Sequence, residues 1–423
     1  MPLYIINRTF SSLKNNNFRL FFSGQLVSLI GTWMQQTALG WLIYEMTGSK
    51  ALLGFVAAIS AFPMLVFSLF GGAIADRYPK RKILVTVQIF AMIMAFILAF
   101  LQSTHIIHIW HIMFISLLLG IALAIDIPVR QSFFIDIVGK EDLMNAVALN
   151  SSLVNAARMI GPMVAGAIMV QFGILWCFIL NGFSFIAVIL ALLKLKLSSA
   201  SKDKPTNSIL KSIKEGFVFV KHNKPISRLM ILMIVMVVFG TAYSTLLPAI
   251  AKDLFHKGEK GYAMLASANG VGSLIGALII AYIGGSAKKK YLINGGIFVF
   301  AITLILLALT TNFYLALLFL CISGIGIVSY FSATTTIIQQ NVDDEYRGRV
   351  MGIWALVFGG MVPLGNLFGG VVAQYIGIKI TLIICALVCM LFATYRAIYT
   401  CFNDDECLCK VQKVISDMQS PHE

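Results

Sequence analysis

Twelve stretches of about twenty mainly apolar residues recur along this chain, and nothing else restricts its fold so severely. A run of that length is what an α-helix needs to cross a bilayer. Inside hydrocarbon every backbone N–H and C=O must be satisfied internally, so only helices or closed barrels span it. The alternation of a barrel strand is absent, which leaves helices. The runs fall near 18–45, 51–75, 83–103, 109–131, 146–170 and 174–194, then near 228–251, 262–285, 291–310, 313–337, 350–375 and 378–400. Of the 423 residues, 59% are hydrophobic and 12% charged, against about 25% charged in a soluble domain. A soluble enzyme and a disordered chain are therefore set aside. The first seventeen residues hold Arg8 and Lys14 but no apolar stretch for a cleavable signal, so the first run is expected to stay as a helix.

A formal charge of +14 would point to nucleic acid if the basic residues were clustered at random. They are not. With a cytoplasmic N-terminus, 26 of the 32 Lys and Arg fall on one side, five on the other (Lys50, Lys252, Lys257, Lys260, Lys379), and Arg158 lies inside a span. Basic loops mark the cytoplasmic side. Both termini are thus expected in the cytoplasm, the charge becomes an orientation, and no nucleic-acid partner is expected. Seven cysteines, four in apolar runs and three near the C-terminus, make no disulfide framework.

The polar segment 198–224 divides six runs from six. We read 1–197 as an N-terminal six-helix bundle, 198–224 as a cytoplasmic linker, 225–400 as a C-terminal six-helix bundle and 401–423 as a cytoplasmic tail. Within the linker Ile209, Ile213, Phe217 and Val220 repeat at helix spacing while Lys211, Lys214 and Lys221 face elsewhere, which predicts an amphipathic helix on the membrane surface. The halves echo one another. Arg19 and Gly31-Thr32 recur as Arg228 and Gly240-Thr241 at an offset of 209. Glu141, Gly166 and Gly173 recur as Glu345, Gly370 and Gly377 at 204. Parallel repeats of this kind are one architecture of membrane transporters.

The turn after the second run, GGAIADRYPKRK, places Asp76 and Arg77 at the end of a span beside Lys80, Arg81 and Lys82. An acid there can pair across the cytoplasmic face in one conformation and separate in another. The equivalent turn of the second half, GGSAKKK, keeps the cations without the acid. In the fifth run, Ala157-Arg158-x-x-Gly161-Pro162-x-x-Ala165-Gly166 sets small residues where backbones can approach, and Pro162 removes a backbone donor.

G-x-x-x-D-R-x-x-K-R-K between the second and third of twelve spans resembles the signature loop of the major facilitator superfamily, and the Gly161, Pro162, Gly166 pattern resembles the helix-packing motif of its exporters. NFRLFFSGQLVSLIGTWMQQTALGWLIYEMTGS, DIPVRQSFF and NAVALNSSLVNAARMIGPMVAG resemble the transmembrane secretion effector family, which includes enterobactin-type siderophore exporters and macrolide efflux proteins. The resemblance implies an all-α integral membrane protein of the major facilitator fold, twelve transmembrane helices in two six-helix bundles, acting as an exporter driven by the proton gradient. The tail from Cys401 resembles nothing we can name.

Ionisable groups inside a span are costly and mark function by default. Arg158 sits near mid-membrane and shares a helix face with Ser151, Asn155 and Pro162, so it is expected to line a cavity and to suit an anionic or catechol-like cargo, or else to be held by a carboxylate on a neighbouring helix. Asp126 and Arg130, four apart with the acid first, form a favourable intrahelical pair. Asp126 is read as a carrier of the coupling proton, and Asp76, Arg77 and Arg130 as gating groups; the alternative is mutual neutralisation. Glu45 is read as interfacial. Gln25, Ser28, Thr32 and Gln36 make a polar face on the first run, with Trp33 and Gln35 beside it. In the second half Thr241, Tyr243, Ser244, Thr245, Tyr330, Ser332 and Asn366 are the matching candidates. The Gly-rich stretch Asn269 to Gly276 reads as helix packing, His105, His108 and His111 as loop residues, and Cys407-x-Cys409 as too few ligands for a metal site. No Walker loop is present.

These features predict a secondary active transporter of the cell inner membrane, a multi-pass monomer in the lipid bilayer, exporting a small molecule such as a siderophore. Multidrug or macrolide efflux, and import of a ferric siderophore or lipid by the same fold, remain open. A membrane-embedded enzyme lacks its H-E-x-x-H or G-x-S-x-G, and no cofactor is expected beyond the proton motive force.

Overall fold

Asn15 starts the first long helix, its side-chain oxygen accepting from the N–H of Asn17 and Phe18 at 2.9 and 3.2 Å. That cap satisfies donors that a helix start leaves open. The computed structural model describes residues 11–139, 141–195, 217–283, 289–342 and 344–403. After a 3-10 turn at Ser11–Lys14 come α1 (Asn16–Thr47), α2 (Lys50–Arg77), α3 (Lys80–Ser103), α4 (Ile109–Val138), α5 (Leu143–Phe172) and α6 (Ile174–Lys194). These are followed by α7 (Lys224–Val238), α8 (Glu259–Ile283), α9 (Lys289–Leu309), α10 (Phe313–Gln340), α11 (Asp344–Ile376) and α12 (Ile378–Asn403). No strand occurs among the described residues. Eleven segments there are long and apolar enough to cross a membrane, one of them being α7 taken together with the residues up to Thr245. The exception is α1, whose 32 residues reach about 48 Å at 1.5 Å per residue, but whose Gln, Ser and Thr dilute its apolar character.

The seventh run is not the continuous helix expected over 228–251. α7 ends at Val238, and the chain continues through short helical pieces at Ala242–Thr245 and Leu247–Ala249 into a π-helical stretch at Ile250–Leu254. Three residues account for the break. Gly240 is a poor helix former, Thr241 bonds back to the Val237 carbonyl at 2.5 Å, and Pro248 brings no N–H. Elsewhere α4, α5 and α11 outrun their apolar runs, because polar boundary residues can be helical too, whereas α6 coincides with its run. Of the linker helix, 217–222 is described as helical; Phe219 stacks on Tyr346 of α11 at 4.8 Å, Val220 is buried and Phe217 exposed, while Ile209 and Ile213 lie outside the described residues.

α1 packs on α5 and α6, α3 on α4 and α6, and α2 on α4; α8 and α9 pack on α10, and α9 on α12. Between these groups run two crossings, α2 on α11 and α5 on α8. Both use the smallest residues available. A Cβ on Gly370 would meet the Cα of Gly54 at 2.7 Å, and one on Gly166 would overlap the Cβ of Ala263. Gly54 and Ala263 are 209 apart and Gly166 and Gly370 are 204 apart, so the two crossings are made by corresponding positions. Gly161 seats α5 on the backbone of α1 at Ile30 and Met34, as Gly365, 204 residues on, seats α11 on α7 at Val237 and Val238. Gly173 and Gly377, at the turns into α6 and α12, share a φ of +87°.

We call the end where α1 begins the near end and the end where it finishes the far end. A cluster of Phe18, Phe21, Leu84, Phe133, Phe134, Leu149 and Leu192 fills the first group at the near end. A larger core runs from Met34 and Trp41 through Leu247, Ile250 and Tyr262, joining both groups towards the far end.

Candidate functional site

Arg158 lies midway along the 30 residues of α5. Its guanidinium carbon stands 5.0 Å from the centroid of the Trp33 ring on α1. One turn on, Gly161 lets that helix close: a Cβ there would overlap the Cβ of Trp33. The small residue and the aromatic one therefore make a single arrangement in which the ring covers one face of the cation. No described residue accepts a hydrogen bond from Arg158, and its Nε is closed to solvent. Desolvated cation–π contacts contribute about 2 kcal/mol, which offsets only part of the cost of an interior charge.

The other wall comes from α7 and α8. Gly270 brings α8 onto the backbone of α5, where an added Cβ would meet Met159 Cα at 2.6 Å and the Arg158 carbonyl at 2.9 Å. The preceding residue, Asn269, donates from Nδ2 to the Tyr243 hydroxyl at 2.7 Å. Tyr243 stands just past the break in α7, buried, and within electrostatic range of Arg158. The stretch from Asn269 to Gly276 does pack helices, as its glycines led us to expect: Gly272 and Gly276 meet the α10 backbone at Cys321 and Ile325. Asn269 inside it is a candidate that its glycine neighbours concealed.

Around this centre the other candidates divide. On α1, Gln25 and Ser28 are buried, Thr32 bonds its own helix at Ser28 O, and Gln36 is exposed. Gln35 turns away to α6, accepting from Asn181 Nδ2 at 2.8 Å. Asn155 and Thr241 bond carbonyls of their own helices, at Ser151 and Val237. Thr245 donates to Asn366 at 2.8 Å and so ties the broken α7 to α11. Ser332 is half-buried and Ser244 exposed. Tyr330 has to be revised as a cavity residue: it is fully enclosed, with its backbone at Gly296 of α9 and its ring on Phe331, because Gly296 admits that close approach.

Towards the near end several charges have local partners. Arg130 and Asp126 form an ion pair, and the other oxygen of Asp126 accepts from Gln88 Nε2 on α3 at 3.0 Å. Lys80 pairs with Asp136 of α4 at 2.9 Å and donates to Ser132 O, while Arg81 donates to the carbonyls of Leu193 and Leu195 at the end of α6. Asp76 and Arg77 lie in the last turn of α2, but their side chains fall outside the described residues, as do Cys407 and Cys409. Pro162 sits buried within α5. Glu45 is exposed at the far end, and His111 Nδ1 caps α4 by accepting from His108 N at 3.0 Å.

At the far end a network crosses between the groups. Tyr44 donates to Asp253 Oδ2 at 2.6 Å, and Lys50 Nζ pairs with that oxygen at 2.9 Å. Lys50 N donates to Gln374 of α11, Lys252 stands over the Tyr44 ring, and Trp41 stacks on Tyr262 of α8. Neither Tyr44 nor Asp253 stands out in the sequence by itself, although their separation of 209 equals the offset between Arg19 and Arg228.

Residues 7–408 match the family described as transmembrane secretion effector. The chain is similar to the staphyloferrin A transporter of Staphylococcus aureus (strain NCTC 8325 / PS 47), 29% identical over 369 residues that cover 85% of this chain and 90% of that protein. It is also similar to macrolide efflux protein A of Streptococcus pyogenes, 24% identical over 399 residues, 90% of this chain and 98% of that one. Among solved structures, the nucleoside transporter NupG superposes with a TM-score of 0.73 at 13% identity, over 92% of this chain and 100% of that one.

Proposed function

The chain belongs to the transmembrane secretion effector family and is a multi-pass membrane transporter, and we propose that it exports a small molecule of the siderophore class across the inner membrane, driven by the proton gradient. In this reading α1 is the twelfth span, both termini are cytoplasmic, and the near end faces the cytoplasm. α1–α6 and α7–α12 rock about the α2–α11 and α5–α8 crossings, opening the centre alternately to either side. The observation that carries the reading is a polar centre at Arg158, walled by both groups and lying beneath a far end closed by Tyr44, Lys50 and Asp253. A cargo entering from the near end meets Trp33, Asn155, Arg158 and the Thr245–Asn366 pair before that closure opens.

Asp126 is the proposed proton carrier, since protonation would release Arg130 and Gln88 together, and Asp76 with Arg77 the proposed near-end latch. Mass spectrometry of metabolites secreted by wild-type and deletion cells tests the export reading. We expect one chelating metabolite to disappear from the deletion medium and accumulate inside. Unchanged secretion together with lost uptake of a labelled iron chelate would reverse the direction. The similarity to macrolide efflux protein A supports a second cargo, for which the readout is macrolide tolerance of the deletion strain.

A further inference from the structure

We infer that Arg158 and Tyr243 are the two jaws of a carboxylate-binding site, and that the cargo supplies the counter-ion which the protein leaves out. This rests on the reading that a small molecule passes through the centre, and it names the chemical class of that molecule.

The first ground is the charge balance. Arg130 has Asp126, Lys80 has Asp136, Lys50 has Asp253, Arg81 has two carbonyls and Arg396 has Asn294. Arg158 has the Trp33 ring and no acceptor among the described residues. An interior ion without a partner is expensive, so such a group persists where a ligand completes it. A cationic cargo would raise that cost, whereas an anion removes it.

The second ground is shape. A guanidinium is planar and offers parallel N–H groups along its edge, matching the two oxygens of a carboxylate. The Trp33 ring covers a face and fixes the plane, and Nε on the edge is unused. The third ground lies across the interface. Tyr243 accepts from Asn269 at 2.7 Å and also meets Ser323, which gives its own proton to the Leu320 carbonyl, so an arriving carboxylate takes the phenol proton in competition with Ser323. Gly270 holds this wall against the backbone of Arg158 itself. A carboxylate between guanidinium and phenol is bonded to α5 on one side and to the segment following α7 on the other, so its arrival and departure are felt by both groups.

Titration calorimetry on the full chain purified in detergent tests this with four probes: citrate, its neutral triethyl ester, catechol and erythromycin, a cation. Saturable citrate binding at millimolar concentration is expected, with no binding of the ester. Arg158→Gln is expected to weaken citrate by about tenfold or more, and Tyr243→Phe by a few-fold. Absent citrate binding, equal binding of acid and ester, tighter binding of catechol or erythromycin, or wild-type affinity in both variants overturns the inference. Should Arg158→Gln lose its monodisperse elution, the acid and ester pair on the wild type and the milder Tyr243→Phe still decide. The measurement needs no gradient and no direction, so it stands or falls separately from the secretion experiment.

Discussion

Tyr44 donates its hydroxyl proton to Asp253 at 2.6 Å, and the 209 residues between them are the offset that relates α1 to the segment following α7. The bond therefore joins a position to its own counterpart at the place where the halves meet. The two positions carry different chemistry, a phenol in one copy and a carboxylate in the other, so a contact between equivalents becomes a donor and an acceptor. Lys50 adds an ion pair to the same oxygen. A partly exposed pair contributes about 0 to 1 kcal/mol and a hydrogen bond about 1 kcal/mol. Asp253→Asn removes the first and weakens the second, a shift of up to about tenfold in the closed-to-open ratio of the far end. Spin labels on Met46 and Tyr375, both exposed at that end, should show a larger long-distance population in Asp253→Asn and a smaller rise in Tyr44→Phe. Identical distance distributions would remove the latch.

The crossing of α2 and α11 should be intolerant of any side chain. At Gly370 an added Cβ would meet Gly54 Cα at 2.7 Å and Lys50 O at 2.6 Å, both backbone atoms that cannot swing aside. Gly370→Val is expected to block the far-end-closed state and reduce transport at least about tenfold while the protein still inserts. Gly352→Ala on the same helix has open space around it and should transport normally. A functional Gly370→Val would show that the close approach is dispensable.

How far these relationships were legible beforehand depends on their physics. Hydropathy displays what faces lipid, and the helix positions follow from it because the bilayer sets one length for every span. The break in α7 escaped because Gly240, Thr241 and Pro248 are each tolerated in membrane helices and act only together. Tyr330 was misplaced because a tyrosine in a span reads the same from sequence whether it faces a cavity or lies between helices. Asn269 was hidden by its glycine neighbours, which explain themselves through packing. The Tyr44–Asp253 bond was legible in principle: adding 209 to each polar residue of the first run would have found it.

Asp126 distinguishes structure from coupling through a double variant. It is buried, ion-paired to Arg130 and hydrogen-bonded by Gln88. Asp126→Asn alone leaves Arg130 uncompensated, at a cost of about 3 to 5 kcal/mol when such a pair is buried. Replacing both, as Asp126→Asn with Arg130→Met, removes the lone charge and should recover most of the thermal stability. If Asp126 carries the proton, the double variant still lacks transport driven by a pH gradient while retaining exchange of labelled for unlabelled cargo in proteoliposomes. Recovery of gradient-driven transport along with stability would make the pair structural only.

Gly173 and Gly377 give the duplication an energetic test. Both stand at φ +87° between a helix that crosses the other half and the helix that follows, and neither has an atom near enough to hinder a Cβ. Any cost of substitution is therefore backbone strain, not packing. Gly173, with ψ of 170°, lies in a region that is essentially glycine-only, and forcing an L-residue there costs about 1 to 3 kcal/mol. Gly173→Ala and Gly377→Ala should each lower the melting temperature in detergent by a similar amount, and together by the sum, since the sites share no partner. Gly48 serves as the contrast: at φ 58° and ψ 5° it is in the left-handed region that asparagine tolerates, so Gly48→Asn should change little. Unequal losses at Gly173 and Gly377 would mean that the two turns, although they share a φ, are no longer held to one geometry by the helices on either side.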